Sequence, residues 1–101
     1  MKLETTARFR RSMRGFSNER MESILATMRA AATAYGRPHL HAGIGMRIID
    51  DFIECRDALD HRLLFQRDGG FMVFRFYGTH DEVRAFLRNR RSVGPKGSRR
   101  V

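Results

Sequence analysis

Cysteine, proline and long apolar runs are scarce in this chain of 101 residues. The single cysteine argues against a disulfide-stabilised domain, and the lack of long apolar runs argues against a membrane protein. Its one cysteine, Cys55, cannot form an intramolecular disulfide, and its place in an apolar segment indicates a small buried residue rather than a nucleophile. No apolar stretch approaches the length of a membrane span, and no signal-type segment follows Met1 and Lys2. We therefore expect a soluble cytoplasmic protein in a reducing compartment, with no membrane partner.

Acidic residues are also few, with 11 against 20 basic ones and a formal charge of +9. An excess of this size predicts a polyanionic partner, because basic side chains gain affinity by displacing counterions from phosphates. Most of the basic residues are arginine, whose planar fork binds phosphate or carboxylate at two points. A basic surface without such a partner is the alternative interpretation.

Two common kinds of ligand site are missing. His39 and His41 are two residues apart, but no cysteine or acidic cluster of ligand spacing accompanies them, which argues against a metal site. The glycine-rich segment from His39 to Met46 lacks the length and the following lysine of a phosphate-binding loop. We therefore expect neither a metal nor a cofactor, and we interpret residues 39–49 as an extended loop that leads into the sheet.

Length and composition predict one domain with a single modest core. A hydrophobic content of 42%, with eight Phe and two Tyr, is sufficient for a packed fold. From Arg88 onward the composition changes to basic residues, glycine and proline, with no acidic residue. We predict a folded domain over residues 1–90 and a flexible basic tail over residues 91–101.

The second half of the sequence predicts a three-stranded meander followed by a short helix. Three segments have the alternation or the aromatic content of strands: Phe52–Asp57, Arg62–Arg67 and Phe71–Tyr77. Ala58–Asp60 is short enough for a turn, and Asp68-Gly69-Gly70 is a hairpin signal because glycine supplies the positive φ angles of tight turns. We interpret Gly78 as the end of the third strand. Thr79–Glu82 has the form of a capping box before an apolar helix face.

The first half predicts two helices. Lys2–Thr5 reads as either a short strand or a frayed start. Thr6 can cap a first helix, and Ser17 or Asn18 can cap a second one that Gly36 and Pro38 end. Both helices have an apolar stripe, formed in the first by Phe9, Met13 and Phe16. Two amphipathic helices in tandem predict a helical hairpin laid on one face of the sheet.

This order of elements resembles that of the RelE/ParE superfamily, the toxins of type II toxin–antitoxin pairs. Asp60–Phe65 is similar to the family's aromatic-Arg-apolar-apolar-aromatic strand. Phe71–Val83 is similar to its last strand and Gly-x-His-x-x-apolar corner, and His39–Gly43 to the loop before the meander. The resemblance covers roughly residues 1–90. It implies an α+β, RelE/ParE-like fold: an N-terminal helical hairpin packed on one face of a small antiparallel sheet, with a short C-terminal helix and Lys2–Thr5 as a candidate fourth strand.

Within the superfamily, the chain is most similar to the YafQ-like ribonuclease branch, and this resemblance implies four catalytic residues. His80 falls on the corner histidine, the proposed general acid, and Asp60 on an acidic residue of the turn. His39 falls on the loop histidine. Arg62 falls on the arginine that, in the RelE branch, contacts the scissile phosphate.

Two residues depart from the pattern of that branch. Arg56 stands where the branch has a second histidine, and Arg84 stands where an aromatic residue usually stacks on a base. We assign both, together with Arg75, to substrate binding.

The residue types suit RNA cleavage by the 2′-hydroxyl, which needs a base, an acid and cations at the phosphate. Histidine suits either proton role, and arginine suits the phosphate. Alternation places Arg62 opposite Leu63 and Phe65, and Arg75 opposite Phe74 and Phe76. With Arg56, these arginines are expected on the face away from the helices. A solvated outer face explains Arg56 and Arg75 equally well, and Asp60 can simply close its turn.

Three hypotheses follow from the sequence. The first is a metal-independent endoribonuclease toxin that cuts mRNA, in the ribosomal A site, and is held inactive by a cognate antitoxin, in a complex able to bind operator DNA. The second is a non-catalytic ParE-like toxin that inhibits DNA gyrase. The third is a plain nucleic-acid-binding module.

Overall fold

The computed structural model describes residues 2–58 and 60–98, with side chains for residues 2–58 and 60–89. This part of the chain contains five strands: β1 (Lys2–Thr5), β2 (Arg47–Ile49), β3 (Phe52–Asp57), β4 (His61–Asp68) and β5 (Phe71–Thr79). It also contains four α-helices: α1 (Ala7–Ser12), α2 (Asn18–Ala34), α3 (His41–Ile44) and α4 (His80–Ser98). No helix among these residues is both long and apolar enough to cross a membrane.

The strands form one mixed sheet in the order β1-β5-β4-β3-β2. β3, β4 and β5 are the predicted meander, and all three neighbouring pairs from β2 to β5 are antiparallel. β1 is the candidate N-terminal strand, and it pairs parallel to β5. The predicted α+β class is therefore confirmed, with one parallel pair in a sheet that was expected to be antiparallel throughout.

The N-terminal caps lie where the sequence places them. The Thr6 side chain accepts a hydrogen bond from the Phe9 N–H, and the Ser17 side chain accepts one from the Arg20 N–H. α1 ends at Ser12 after six residues and packs against β5, whereas α2 is 17 residues long and packs against β3 and α3. The predicted helical hairpin is therefore not confirmed.

Residues 39–49 are not the extended loop that the glycine content suggested. Pro38–Leu40 forms a single turn of 3-10 helix, with proline at its first position, where a fixed φ favours the turn. The four-residue helix α3 follows, and β2 then pairs with β3 in the register Arg47 to Glu54. β2 is therefore a strand that the alternation of residues did not predict, and a charged cross-strand pair stabilises it.

The turns of the meander differ in one respect from the prediction. Gly69 has a φ of +61°, as its hairpin requires. Gly78 does not end β5, because it pairs with Arg62 and the strand continues to Thr79. A Cβ at this position would lie 2.7 Å from Glu82 Oε1, so glycine leaves the space in which the first turn of α4 closes on the sheet. The other predicted turn, Ala58–Asp60, includes Leu59, which lies outside the described residues.

α4 begins with the predicted capping box. The Thr79 N–H donates to Glu82 Oε1 at 2.8 Å, and the Glu82 N–H donates to Thr79 Oγ1 at 3.2 Å. The helix continues to Ser98 and is therefore longer than the short helix expected. The boundary between a domain at 1–90 and a basic tail at 91–101 stays a prediction, and residues 99–101 lie outside the described part of the chain.

Each face of the sheet carries its own buried cluster. The main core lies under α1 and α2 and includes Phe9, Met28, Leu63, Phe65 and Phe74. The α4 core lies on the other face, under α4, and consists of Phe52, Leu64, Phe76, Val83 and Leu87. Leu63 and Phe65 therefore lie opposite Leu64, as alternation predicts.

A β-bulge makes one prediction about the faces wrong. Leu64 pairs with Phe76 while Phe65 pairs with Phe74, so Arg75 is an extra residue in β5. As a result Phe74 lies in the main core and Phe76 in the α4 core, rather than both on the side opposite Arg75. Assigning residues to the two faces by alternation gives the wrong face beyond a bulge, because the inserted residue shifts the alternation by one position.

Candidate active site

An open cleft of about 330 Å³ lies between α4 and the β2–β3 edge of the sheet, and we call it the α4 cleft. Its apolar wall belongs to the α4 core and its neighbours: Ile49, Val83 and Leu87. Its polar lining combines an imidazole, a carboxylate and three guanidinium groups: His80, Glu54, Arg47, Arg84 and Arg88. A proton donor, a proton acceptor and several anion-binding groups therefore share one opening.

Glu54 is the buried charge of this cleft. Its residue is 3% exposed, and its Oε1 atom accepts a hydrogen bond from Arg47 Nε at 3.0 Å. Arg62 lies on its other side, with Nε 4.0 Å from the same oxygen. A carboxylate removed from water is costly unless cations compensate it, and here two arginines from the flanking strands β2 and β4 do so.

His80 is held by its backbone at the first position of α4. Its N–H donates to the carbonyl of Asp60 at 3.1 Å, which ties the start of the helix to the turn before β4. The ring lines the α4 cleft, and its Nδ1 atom is buried with no hydrogen-bond partner among the described residues. Nε2 is therefore the ring nitrogen that remains for a ligand in the cleft.

Arg62 lies behind the cleft rather than in its opening. Its side chain is 18% exposed, and Nη1 donates to the carbonyl of His61 at 3.1 Å. Its contact with Glu54 nevertheless places it on the same side of the sheet as His80. Arg47, by contrast, is 62% exposed in its side chain and presents its guanidinium at the rim.

Asp60 is exposed and pairs with its neighbour. Its carboxylate lies 3.2 Å from Nδ1 of His61, whose ring stacks on Tyr77 with centroids 5.3 Å apart. Asp60 therefore reaches His80 through its backbone carbonyl, while its carboxylate is engaged with His61.

The structure gathers some of the predicted site residues and separates others. His80 and Arg84 line the α4 cleft, and Arg62 and Asp60 adjoin it. Three others do not line it: His39, Arg56 and Arg75. His39 is exposed in the 3-10 turn, Arg56 lies against Gly45 and lines a different groove with α2 and α3, and Arg75 donates to Gln66 Oε1 at 2.8 Å.

Sequence reasoning missed Arg47, Glu54 and Arg88. Arg47 lies in the segment interpreted as a loop, and Arg88 lies where the composition becomes basic, three residues before the predicted tail. Glu54 had a usable signal, because Phe52, Ile53 and Cys55 are apolar at positions facing both sides of the sheet, which indicates a strand covered on both faces, and an acidic residue in such a strand needs a cation. Among the described residues, no three His, Cys, Asp or Glu side chains are grouped in a way that could hold a metal ion.

Comparison with known proteins bears on the fold. No family model matches the sequence, and no curated protein matches it. The conserved hypothetical protein HP0894 from Helicobacter pylori has a similar structure, with a TM-score of 0.55 and 17% identity, over 82% of this chain and 98% of that one. YafQ from E. coli strain BL21(DE3) is similar with a TM-score of 0.57 and 12% identity, over 81% of this chain and 96% of that one. The chain therefore shares the fold of YafQ and HP0894, and its motifs predicted a fold of the YafQ kind.

Proposed function

We propose that this protein is the toxin of a type II toxin–antitoxin pair and that it cleaves mRNA as an endoribonuclease. The observation that carries the proposal is the α4 cleft, where His80, the buried Glu54 and several arginines face one space large enough for part of a nucleotide. The formal charge of +9 and the fold shared with YafQ agree with an RNA-directed toxin.

The cleavage we propose uses the 2′-hydroxyl of the substrate as the nucleophile. Glu54 accepts the hydroxyl proton, the oxygen attacks the adjacent phosphorus, and the bond from phosphorus to the 5′-oxygen breaks. His80, protonated, gives its proton to that 5′-oxygen. The products are a 2′,3′-cyclic phosphate and a 5′-hydroxyl, and DNA is spared because it has no 2′-hydroxyl.

The arginines stabilise the charge that develops on the phosphorane. Arg84 and Arg47 line the opening and are exposed, so they can reach the non-bridging oxygens directly. The N-terminus of α4, where His80 lies, adds a further positive end. Arg62 lies 4.0 Å from the buried Glu54 carboxylate and compensates its charge, which is a positioning role in addition to its predicted contact with the phosphate.

The other predicted site residues have weaker support. Asp60 positions His80 through the hydrogen bond to its backbone. Arg56 and Arg75 remain predicted substrate contacts outside the α4 cleft, and His39 remains a predicted base, competing with Glu54 for that role. Substitution of His39 by alanine separates the two, because only one of His39 and Glu54 can be the base that a pH–rate profile reports.

Primer extension on cellular transcripts after induction of the protein tests the proposal. We expect new 5′ ends in the wild type, and loss of these ends in the His80→Ala and Glu54→Gln variants and on co-expression of the neighbouring open reading frame. Cleavage that persists unchanged in His80→Ala would contradict the site. Inhibition of DNA gyrase without RNA cleavage would instead support the ParE-like alternative.

The partners in this proposal are a cognate antitoxin, mRNA and the ribosome. An antitoxin that brings an acidic segment to Arg47, Arg84 and Arg88 would block the cleft and neutralise its charge. Translation in a purified system, with and without ribosomes, shows whether cleavage depends on the A site.

A further inference from the structure

A second groove, of about 410 Å³, lies on the other flank of α4, and we call it the α1–α4 groove. α4 lines the two spaces with different positions: residues 80, 83, 84, 87 and 88 face the α4 cleft, and residues 82, 85, 86 and 89 face the groove. At 3.6 residues per turn these two sets are about half a turn apart. The opposite wall of the groove belongs to α1, through Arg8, Arg11 and Ser12.

Arg8 lies against an aromatic pair at the base of the groove. Its guanidinium carbon lies 5.2 Å from the ring centroid of Phe76 and 5.4 Å from that of Phe86. The two rings stack on each other at 4.7 Å with planes 14° apart. Because the side chain of Arg8 is exposed, its outer face is available to an unpaired base, which stacks readily on a guanidinium plane.

Arg11 follows Arg8 by one turn of α1 and is exposed in the same groove. Its guanidinium can bind two oxygens of one phosphate. One carboxylate, that of Glu82, also lines the groove, but its Oε1 atom accepts the Thr79 N–H of the capping box. The groove therefore offers a flat cation for a base and a second cation for a phosphate.

The same lining disfavours a peptide as the occupant. Peptides that bind in grooves insert apolar anchors into apolar pockets. The large exposed apolar residues of the described chain are Met21, Leu25, Leu40, Ile48 and Phe71, and none of them lines this groove. Of its three aromatic residues, Phe76 and Phe86 are already covered by Arg8, and Tyr77 is buried.

We propose that the α1–α4 groove binds a nucleotide that flanks the cleavage site on the same RNA strand, with its base on Arg8 and its phosphate on Arg11. That the bound RNA is also the strand that is cleaved rests on the proposed function. That the groove binds a nucleotide rests on the contacts and charges of its own residues. An α-helix is about 10 Å across, so one single strand can cross the start of α4 and occupy both spaces.

Fluorescence anisotropy on the full chain tests this, in a His80→Ala background that prevents turnover. The probes are labelled single-stranded RNAs of about 12 nucleotides and of about 4 nucleotides. We expect Arg11→Ala to bind the longer RNA about tenfold more weakly, with the slope of log affinity against log salt reduced by about 0.7, and to bind the shorter RNA as before. Arg8→Lys keeps the charge but not the plane, so it should weaken binding of the longer RNA while retaining the salt slope.

Arg29→Ala is the matched control, because Arg29 is an exposed arginine of α2 that lines neither space. Equal losses in Arg11→Ala and Arg29→Ala would overturn the proposal, since binding would then reflect net charge alone. It would also be overturned if oligoglutamate bound as tightly as RNA and lost as much in Arg11→Ala, because the groove would then be a site for acidic peptides. RNA binding by the groove without cleavage by the protein that retains His80 would contradict the nuclease and leave the groove intact.

Discussion

The two faces of the sheet solve the problem of burying charge in opposite ways. On the face under α1 and α2, the buried carboxylate of Asp57 accepts hydrogen bonds from two hydroxyl groups, that of Thr27 at 2.5 Å and that of Tyr77 at 2.5 Å. On the face under α4, the carboxylate of Glu54 is compensated by Arg47 and Arg62 and borders an open cleft. Asp57 also borders a groove, the one that Arg56 lines, so the two faces differ in the partners of the buried charge: hydroxyl groups from α2 and β5 hold Asp57, whereas arginines hold Glu54 beside the α4 cleft.

The apolar clusters on the two faces also differ, and the difference is one of size. The main core is larger, with twelve buried residues among those described, and Phe74 at its centre lies 5.1 Å from Phe65 and 5.9 Å from Phe9, centroid to centroid. The α4 core has five buried residues under a single helix. We infer that the main core supplies most of the stability and that the α4 face gives up apolar contact to hold the cleft.

The largest effect should come from opening the main core. Phe74→Ala is expected to lower the free energy of unfolding by about 3–5 kcal/mol, because it removes a ring packed on two others and leaves a cavity. Leu87→Ala in the α4 core should cost only about 2 kcal/mol, since one helix can move to close the gap. Urea denaturation followed by circular dichroism measures both. Equal losses would contradict the difference between the two faces.

The two buried carboxylates test the comparison most directly. Glu54→Gln should lower RNA cleavage by about 100-fold to 1,000-fold, because it removes the proposed base while changing few contacts. Asp57→Asn should instead lower the free energy of unfolding by about 1–3 kcal/mol, because the amide group cannot accept from both hydroxyls. Cleavage assays and urea denaturation are run on both variants. If the Asp57→Asn variant remained fully folded but lost cleavage, the face of the sheet that carries the main core would be part of the site.

Alkaline pH should lower the free energy of unfolding through two titratable residues of the main core. Burial, followed by the neighbouring Glu54 carboxylate, raises the pKa of the Cys55 thiol to about 12. Burial, followed by the hydrogen bond and charge of Asp57, raises the pKa of Tyr77 well above its usual range, although Arg20 opposes part of this. Both groups release protons more readily when unfolded, so the unfolded state binds fewer protons at high pH and stability falls as pH rises above about 9.

The free energy of unfolding at about pH 8 and about pH 10 measures this fall. We expect the wild type to lose on the order of 1 kcal/mol for each such group per pH unit above its unfolded pKa. Cys55→Ala should show a shallower fall, because one of the two groups is gone. Identical pH dependence in the two proteins would show that the thiol does not contribute.

Much of the α4 face could be predicted because its signals are local. The hairpin at Gly69, the capping box at Thr79–Glu82 and the alternation around Leu64 each depend on residues close in sequence, and each is found as expected. The corner histidine was identified by its resemblance to a family motif. His80 then lies in the α4 cleft with Arg84, which the sequence had also singled out.

What could not be predicted depends on contacts between distant segments. β2 forms because Arg47 meets Glu54 across a strand pair, which neither residue signals alone. The bulge at Arg75 arises where β5 presents Phe74 to one core and Phe76 to the other. Strict alternation of side chains between the two faces cannot predict such an inserted residue. Glu54 became a candidate base only when the fold placed it in the same cleft as His80.

The smallest effect compares two threonine caps, one on each side of the sheet. Thr6 caps α1 through the Phe9 N–H at 3.1 Å, and Thr79 caps α4 through the Glu82 N–H at 3.2 Å. Thr6→Ala and Thr79→Ala should each lower the free energy of unfolding by about 1 kcal/mol, since each leaves one helix N–H without its acceptor. Only Thr79→Ala should also lower cleavage, by a few fold, because His80 is the next residue and depends on the same turn. Thr79→Ser, which retains the hydroxyl, should restore both properties. If Thr6→Ala lowers cleavage as much as Thr79→Ala at equal stability, then the start of α4 does not position the imidazole, and general loss of folded protein explains both.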